Sequence, residues 1–302
     1  MEEENGVAII AYNNSQLNYL QFAAIASAYA KLHMKNNKVA LITDTGTEDW
    51  MNISMPKEDI EVLFDYVVSH EIHHDPNPRR HFDSPWTEFT TQFSNKNKDG
   101  IFELSPFEKT LLIDSDYLIC NNFYDRVFQT ELPLGMHRDA IYLEGQSPYL
   151  NEIDLNEAGI HHWWSTAVYF DKSEESKIFF GIWEHVKENW DYYALLYQFP
   201  PGLFRTDFCV SIAIHILNGF TNEHHVYDFD GVPLINMDQK DDLIRVKDFT
   251  DMTFLSHNRS EPWKNIMVRK QKENMHIMNK RAMARQADKM YENLVTALKE
   301  KQ

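Results

Sequence analysis

Two aspartates separated by one residue, Asp114 and Asp116, are the residues of this chain best suited to chemistry. They follow the apolar run Leu111-Leu112-Ile113, which is typical of a buried strand. Ligands of open α/β sheets bind just outside the carboxyl ends of such strands. Two carboxylates on the bend after a strand offer hard oxygen ligands to Mg²⁺ or Mn²⁺, and such an ion can carry a diphosphate. The alternative is a solvated loop in which two acids happen to be close.

The elements that must position this pair are strands that alternate with helices. Apolar runs predict strands at 7–11, 38–43, 64–69, 109–113, 140–143, 166–170 and 253–256. Helical spacing predicts helices at 17–35, 86–93, 174–189, 208–217 and 273–300, and a short one beginning near 55–59. Polar loops are expected at 44–49 and 70–85. This alternation predicts parallel βαβ units and a Rossmann-like sheet.

Composition narrows the class of protein. The net charge of −17 argues against a general nucleic-acid binder. Residues 264–302 carry ten Lys and Arg against four Asp and Glu, a net of +6, so the first 263 residues carry −23. The basic segment either packs on its own acidic body or meets an anionic partner. No apolar run reaches membrane-spanning length. The acidic start (Met-Glu-Glu-Glu) and the two cysteines favour a reducing, cytoplasmic setting.

A zinc-peptidase pattern is present in the sequence but badly placed. His70-Glu71-Ile72-His73-His74 matches H-E-x-x-H, which works only on a helix, where both histidines share one face. Here the string follows an apolar strand and precedes Asp75-Pro76, and proline disfavours a helical residue before it. A polar loop is therefore the better interpretation, with a metallopeptidase as a remote alternative.

Several motifs taken together resemble the family 8 glycosyltransferases, the group of glycogenin and the bacterial galactosyltransferases. The strongest runs from Phe102 to Asp116: a helix ending in Leu104, an aromatic-x-Lys, four residues of strand, then Asp-x-Asp. A second is Phe254-Leu255-Ser256-His257 followed by Pro262-Trp263, and a looser third is the run 165–168, Ser-Thr-Ala-Val. The resemblance covers residues 7 to 264 and suggests a phage-encoded member.

The resemblance implies a GT-A fold: a Rossmann-like mixed, mostly parallel sheet flanked by helices. It implies a catalytic domain over 1–263 and a basic C-terminal helical extension over 264–302. It also implies a metal-dependent, retaining hexosyltransferase that uses Mn²⁺ or Mg²⁺ and a nucleotide sugar, in the first place a UDP-sugar. The acceptor is a hydroxyl of a protein, a glycan, a small molecule or a modified DNA base. A homodimer through the 273–300 helix is a further expectation.

The resemblance also assigns roles to residues, by position in the motifs. The metal ligands are Asp114, Asp116 and His257. The catalytic residues, facing the diphosphate and the sugar, are Lys98 and Asp207. The cofactor-binding residues, facing the nucleotide and its diphosphate, are Ala11, Tyr12, Asn13, Tyr19, Ser115, Arg259 and Lys264.

Two departures from the family pattern leave a second interpretation open. The segment from His257 to Trp263 is two residues shorter than in the family, and Glu261 stands where the family has a lysine. Asp207 is followed by Phe208 where the family has glutamine. The alternative is a nucleotide-binding or scaffold protein that keeps the fold without turnover.

Overall fold

The predicted alternation of strands and helices is present in the structure, a computed structural model. It describes residues 4–35, 37–71, 77–93, 97–145, 154–155, 159–199, 204–222, 226–258, 261 and 264–301. The helices within this part of the chain are α1 (Tyr19–His33), α2 (Thr45–Ser54), α3 (Lys57–Leu63), α4 (Ile101–Leu104), α5 (Glu174–Glu188), α6 (Trp190–Leu196), α7 (Thr206–Leu217) and α8 (Lys280–Lys301).

The strands come in a larger number of short pieces. In chain order they are β1 (Asn5–Ile10), β2 (Lys38–Asp44), β3 (Tyr66–His70), β4 (Asn77–Ser84), β5 (Thr87–Phe93), β6 (Lys109–Asp114), β7 (Tyr117–Leu118), β8 (Leu134–His137), β9 (Ala140–Tyr142), β10 (Asp154–Leu155), β11 (Ile160–His161), β12 (Trp164–Asp171), β13 (Val226–Tyr227), β14 (Leu234–Met237), β15 (Asp242–Asp248), β16 (Asp251–His257), β17 (Asn265–Gln271) and β18 (Met275–Ile277).

The central sheet is mixed and mostly parallel. Its seven strands lie in the order β13-β8-β12-β6-β1-β2-β3. The strands β6, β1, β2 and β3 are parallel, whereas β12 is antiparallel to both of its neighbours, β6 and β8. The register pairs Ile10 at the end of β1 with Asp114 at the end of β6. The loop after β1 therefore starts beside the aspartate pair.

Helices cover both faces of this sheet because successive strand side chains point to opposite sides. Ile9 and Ile113 belong to the apolar core shared with α1 and α8. Their neighbours Ala8 and Leu112 belong to the core on the other face, shared with α5 and α7. A strand buried on both faces reads as an unbroken apolar run, which is why the sequence predicted these strands well.

Smaller sheets extend this core on the side of the aspartates. One has the order β7-β18-β14-β9, and another is the antiparallel meander β15-β16-β17. The strands β4 and β5 form an antiparallel hairpin. None of these pairings is visible in the hydrophobic pattern, because the strands are only two to eight residues long.

Four predicted elements are wrong in the structure, and one of them is the polar loop predicted at 70–85, in which Asn77–Ser84 form strand β4. The predicted loop at 44–49 is the start of α2, whose first turn is capped by the Asp44 carboxylate accepting from the Thr47 N–H at 2.6 Å. The predicted helix at 86–93 is strand β5, in which threonine and phenylalanine favour extended backbone. The predicted helix at 273–300 begins only at Lys280, after strand β18, because the Asn279 side chain caps it by accepting from the Ala282 N–H at 3.0 Å.

The basic C-terminal segment uses its charges within the chain. Arg285 bonds Asp83 at 2.9 Å and Asp242 at 2.8 Å, and Lys299 bonds Asp59 at 2.5 Å. The apolar face of α8, which suggested a dimer contact, is buried in the core shared with α1; its members are Met283, Ala287, Met290 and Leu294. The segment therefore packs on the acidic body of its own chain.

Among the helices that the structure describes, none combines the length and the apolar character needed to cross a bilayer.

Candidate functional site

A cavity of about 170 Å³ lies at the carboxyl ends of β1 and β6. Its walls come from the loop after β1, the turn after β6, the first residues of β12 and α7, the hairpin β4–β5, and the segment from β18 to α8. The lining residues are Ile10, Tyr12, Asn14, Tyr19, His81, Lys98, Asp114, Ser115, Asp116, Trp164, Ser165, Thr166, Arg205, Thr206, Asp207, Gln239, His276, Met278 and Lys280. The site therefore lies where ligands of open α/β sheets bind.

Asp114, Asp116 and His276 form the one group, within the described ranges, whose composition and spacing could hold a metal ion. The His276 Nε2 atom lies 3.4 Å from Asp116 Oδ1 and 4.0 Å from Asp114 Oδ2. The Asp116 side chain is 3% exposed, whereas that of Asp114 is 24% exposed and faces the cavity. Two carboxylates and an imidazole are a donor set that suits Mn²⁺ and related divalent ions.

His276 reaches the aspartates through strand pairing. Strand β18 runs antiparallel to β7 and places His276 opposite Tyr117, directly after Asp116. The next residue, Ile277, donates its N–H to the Asp116 carbonyl at 2.9 Å. The imidazole Nδ1 lies 3.0 Å from Asn236 Oδ1, and this contact orients the ring so that Nε2 faces the carboxylates. An outer partner of this kind is typical of metal-binding histidines.

The predicted third ligand, His257, does not belong to this group. It ends β16 in the separate meander, and its N–H donates to Asp241 Oδ1 at 2.7 Å. The chain returns to the aspartates only with β18, after β17 has completed the meander. The sequence-based prediction named His257 alone, and the strand pairing brings His276 to the aspartates instead.

Two further predicted contacts to the diphosphate are not found in the cavity. Lys264 does not line it; its Nζ is held by Glu261 at 2.7 Å, and its side chain is 59% exposed. Arg259 lies outside the described residues. From this C-terminal part of the chain, the cation that lines the cavity is Lys280, the first residue of α8.

Two lysines hold the two carboxylates. Lys98 forms an ion pair with Asp114 and donates to the Ser165 carbonyl at 3.0 Å, so it links the end of β6 to the start of β12. Lys280 forms an ion pair with Asp116. Burial by itself raises the pKa of Asp116, but the Lys280 ammonium and His276 hold it below its usual range. Asp116 is therefore an anion at neutral pH despite its burial.

Asp207 lies at the end of the cavity formed by β12 and α7. Its Oδ1 accepts from the Ser165 N–H at 3.0 Å and from the Ser165 hydroxyl at 2.7 Å, and its Oδ2 lies 3.4 Å from Arg205 Nη2. Burial works to raise the pKa of Asp207, but Arg205, His162 and the Ser165 bonds lower it well below its usual value. Asp207 is thus more than the helix cap it could have been, because it ties α7 to β12.

An aromatic wall stands behind this end of the cavity. Trp164 is 3% exposed and lines the cavity, and the His162 ring stacks on it with 4.4 Å between centroids. Burial lowers the pKa of His162 to about 4, so the imidazole is neutral at pH 7. Trp164 therefore belongs to the cavity wall, whereas its neighbour Trp163 is buried in the core.

The residues predicted from the first strand divide into two groups. Tyr12 and Tyr19, with Ser115 from the aspartate turn, line the cavity. The Tyr19 hydroxyl is buried and has no hydrogen-bond partner within the described part of the chain. Ala11 and Asn13 do not line the cavity: Ala11 accepts from the Thr43 hydroxyl at 2.7 Å, and Asn13 accepts from the Leu20 N–H at 2.9 Å. They shape the loop that presents Tyr12.

Formal charges in the cavity balance without a ligand. The ionisable lining residues other than histidine are three aspartates (114, 116 and 207) and three cations (Lys98, Arg205 and Lys280), each aspartate lying against a cation. Burial lowers the pKa of His81 to about 4, so it adds no charge at pH 7. A diphosphate would therefore need additional positive charge from outside the protein.

Sequence reasoning missed His276, Lys280, Arg205 and His81. The first two could have been suspected from an apolar strand carrying a histidine just before a capped helix, Met275 to Lys280. No local signal marks His81, which reaches the cavity only because the hairpin β4–β5 folds toward α8, where Arg281 lies 3.7 Å from the centroid of the Phe89 ring.

The zinc-peptidase pattern gains no support. His70 is the last residue of strand β3, and its Nε2 lies 3.0 Å from the Tyr12 hydroxyl. Residues 72–76, with the other two histidines of the pattern, lie outside the described residues. A strand cannot give the helical face that the zinc motif needs.

Comparisons with known proteins give matches in structure only. A scan of the sequence against protein-family models finds no match, and a search of curated protein sequences finds none either. Solved structures to which the chain is similar include glycosyltransferases. GlyE of Streptococcus pneumoniae TIGR4 is 11% identical with a TM-score of 0.41; the match covers 75% of this chain and 45% of GlyE, so the chain spans less than half of that protein.

Two other glycosyltransferases show the same level of similarity. The galactosyltransferase LgtC, solved with donor and acceptor sugar analogs, is 10% identical with a TM-score of 0.43, and the match covers 69% of each chain. Mouse xyloside xylosyltransferase 1 is 12% identical with a TM-score of 0.41, and the match covers 69% of this chain and 81% of that one.

Proposed function

We propose that this chain is a metal-dependent glycosyltransferase that moves a sugar from a nucleotide diphosphate sugar, in the first place a UDP-sugar, to a hydroxyl acceptor. The observation that carries the proposal is the Asp114, Asp116 and His276 group inside a charge-balanced cavity at the ends of parallel strands. Retention of the sugar's configuration enters the proposal only through the family resemblance.

The donor set fits a divalent cation. Its two aspartates and His276 all present ligand atoms within 4.8 Å of one another. The contact with Asn236 orients the His276 ring with Nε2 toward the carboxylates, and the ionised Asp116 already lies against a cation, Lys280. A bound Mg²⁺ or Mn²⁺ would supply the positive charge that the diphosphate needs as it leaves the sugar.

The protein's own cations complete the diphosphate site in this proposal. Lys98 and Lys280 lie on the two aspartates, and a metal that takes over the carboxylates would release both ammonium groups toward the phosphate oxygens. The cavity of about 170 Å³ is smaller than the roughly 300 Å³ of common ligand sites, so these side chains must move when a nucleotide sugar enters.

The remaining roles follow from position. Tyr12, Tyr19 and Ser115 would face the nucleoside, as the family resemblance implies, since all three line the cavity that contains the aspartates. Asp207, fixed by Ser165, would accept hydrogen bonds from sugar hydroxyls and stabilise positive charge on the sugar as its bond to the diphosphate breaks. For the acceptor we favour a glycan, a protein or a small molecule over a modified DNA base, because Arg285 and Lys299 of the basic segment are paired with acids of their own chain.

The test separates donor binding from turnover. The protein is incubated with UDP-glucose, UDP-galactose or UDP-GlcNAc and Mn²⁺, while UDP release and the thermal shift are recorded. We expect a shift with UDP and Mn²⁺ that EDTA abolishes, and release with at least one donor. Asp116→Asn should lose both, whereas Asp230→Asn, an exposed acid paired with Arg126 outside the cavity, should lose neither. No shift with any nucleoside diphosphate would refute the proposal.

A second candidate function is nucleotide binding without turnover. It is favoured by the two lysines, which already neutralise both carboxylates without a metal. A protein of this kind would bind UDP equally well in EDTA and in Mn²⁺ and would release none from any donor.

A further inference from the structure

An ion pair closes the end of the cavity between β12 and α7. Arg205 precedes α7, and its guanidinium lies 3.4 Å from Asp207 Oδ2 and 5.0 Å from the centroid of the Phe208 ring. Both side chains are largely covered, with 20% of Arg205 and 16% of Asp207 exposed. The pair is therefore partly shielded from the solvent that screens surface charges.

The charges of Arg205 and Asp207 neutralise each other. Asp207 is held as an anion by Arg205 and Ser165, and Arg205 is the cation that faces it. The other cations of the cavity, Lys98 and Lys280, lie on Asp114 and Asp116. A carboxylate entering here would have to draw Arg205 away from Asp207, and it would meet the negative charge of Asp207 itself.

The neutral polar groups at this end suit hydroxyls. Thr206 is 5% exposed and lines the cavity, and its Oγ1 has no hydrogen-bond partner in the described part of the chain. A hydroxyl can donate to or accept from a sugar hydroxyl. Asp207 Oδ2 keeps acceptor capacity beside its Arg205 contact.

We propose that Arg205 and Asp207 make this end of the cavity selective for charge, so that the donor carries an uncharged sugar and a uronic acid is rejected. This inference rests on the proposed function. The physical reason is that a sugar carboxylate would compete with Asp207 for Arg205. One of the two carboxylates would then lack a cation in a shielded site, and a shielded unpaired charge is costly.

The experiment compares UDP-glucose with UDP-glucuronic acid, which differ in charge at the sugar. Binding of both, and of UDP alone, is measured by calorimetry with Mn²⁺ for the wild type, Asp207→Asn, Arg205→Gln and the double variant. We expect the wild type to bind UDP-glucose at least about tenfold more tightly than UDP-glucuronic acid. Asp207→Asn should raise the affinity for UDP-glucuronic acid relative to UDP-glucose by about tenfold, because Arg205 becomes available to the sugar carboxylate.

The other variants complete the cycle. Arg205→Gln should increase the preference for UDP-glucose over UDP-glucuronic acid. The double variant, neutral at both positions, should show a preference close to that of the wild type. If Asp207→Asn does not fold, Arg205→Gln still tests the proposal, because the proposal predicts a stronger preference for UDP-glucose in that variant.

Two negative results have different meanings. Equal binding of the two donors by the wild type, or an unchanged ratio across the foldable variants, overturns the charge-selective pair while leaving the proposed function intact. Failure of the wild type to bind UDP or any other nucleoside diphosphate with Mn²⁺ overturns the proposed function and this inference together.

Discussion

Replacing Lys280 by methionine should lower the stability of the metal-free protein and raise the affinity of the protein for Mn²⁺. In the structure the Lys280 ammonium neutralises Asp116, whose side chain is 3% exposed, while that of Lys280 is 14% exposed. Removing one partner of a buried pair leaves the other charge unpaired and costs about 3–5 kcal/mol. For a chain of this size, at about 2 °C per kcal/mol, the melting temperature in EDTA should fall by roughly 6–10 °C.

Addition of Mn²⁺ should reverse much of this loss. The ion replaces the missing positive charge beside Asp116 and no longer competes with an ammonium, so Lys280→Met should bind Mn²⁺ at least about tenfold more tightly than the wild type. At a hundred times its Kd, a ligand stabilises the folded state by about 2.7 kcal/mol. The gap in melting temperature between variant and wild type should therefore narrow. Affinity for UDP should fall, because the diphosphate loses a cation.

The assay is thermal unfolding with EDTA and with a Mn²⁺ series, followed by calorimetry of Mn²⁺ and of UDP. Lys299→Met is the matched control, since Lys299 lies on the same helix, is 44% exposed, and pairs with Asp59 outside the cavity. It should change neither metal affinity nor the metal dependence of unfolding. A gap that stays constant or widens in Mn²⁺ would refute the reasoning, because it would place the metal away from Asp116.

Three further predictions concern the third ligand, the buried histidines and the sheet. His276→Asn should abolish Mn²⁺ binding and His257→Asn should leave it unchanged in calorimetry; the reverse result would restore the sequence-based assignment. His137 accepts from the Tyr124 hydroxyl at 2.6 Å, and burial lowers its pKa to about 4. Because the unfolded state then binds a proton that the folded state does not, stability should fall as pH drops from about 6.5 to 4, by up to about 3 kcal/mol for this group. Urea unfolding should show a shallower pH dependence for His137→Gln, and an equal slope would contradict it. A Cβ on Gly6 would lie 2.3 Å from the Phe107 ring, so Gly6→Ala should destabilise by about 1–3 kcal/mol. Gly181→Ala, on an open helical surface, should instead stabilise by about 0.5–1 kcal/mol in the same urea assay, and equal effects at the two glycines would be inconsistent with this packing.

The choice between His257 and His276 shows where sequence reasoning reached its limit. Both histidines lie on largely buried strands in the last third of the chain, His257 at the end of β16 and His276 in the middle of β18. The family resemblance favoured His257 because a proline and a tryptophan follow it. Pairing of β18 with β7 depends on hydrogen bonds between strands of three and two residues, and strands this short leave almost no periodic signal.

The sequence by itself determined the inner strands β1, β2, β6 and β12 of the central sheet, though not its strands β8 and β13, and it determined the aspartate pair at the end of β6. It could do so because these strands are buried on both faces and because Asp-x-Asp is contiguous in the chain. The charge asymmetry of the C-terminal segment was also readable from composition. Only the tertiary structure decided that this segment supplies Lys280 and His276 to the cavity, and that Arg205 neutralises Asp207. Those partners are set by strand order and side-chain direction, which bring together residues as much as 164 positions apart, as for Lys280 and Asp116.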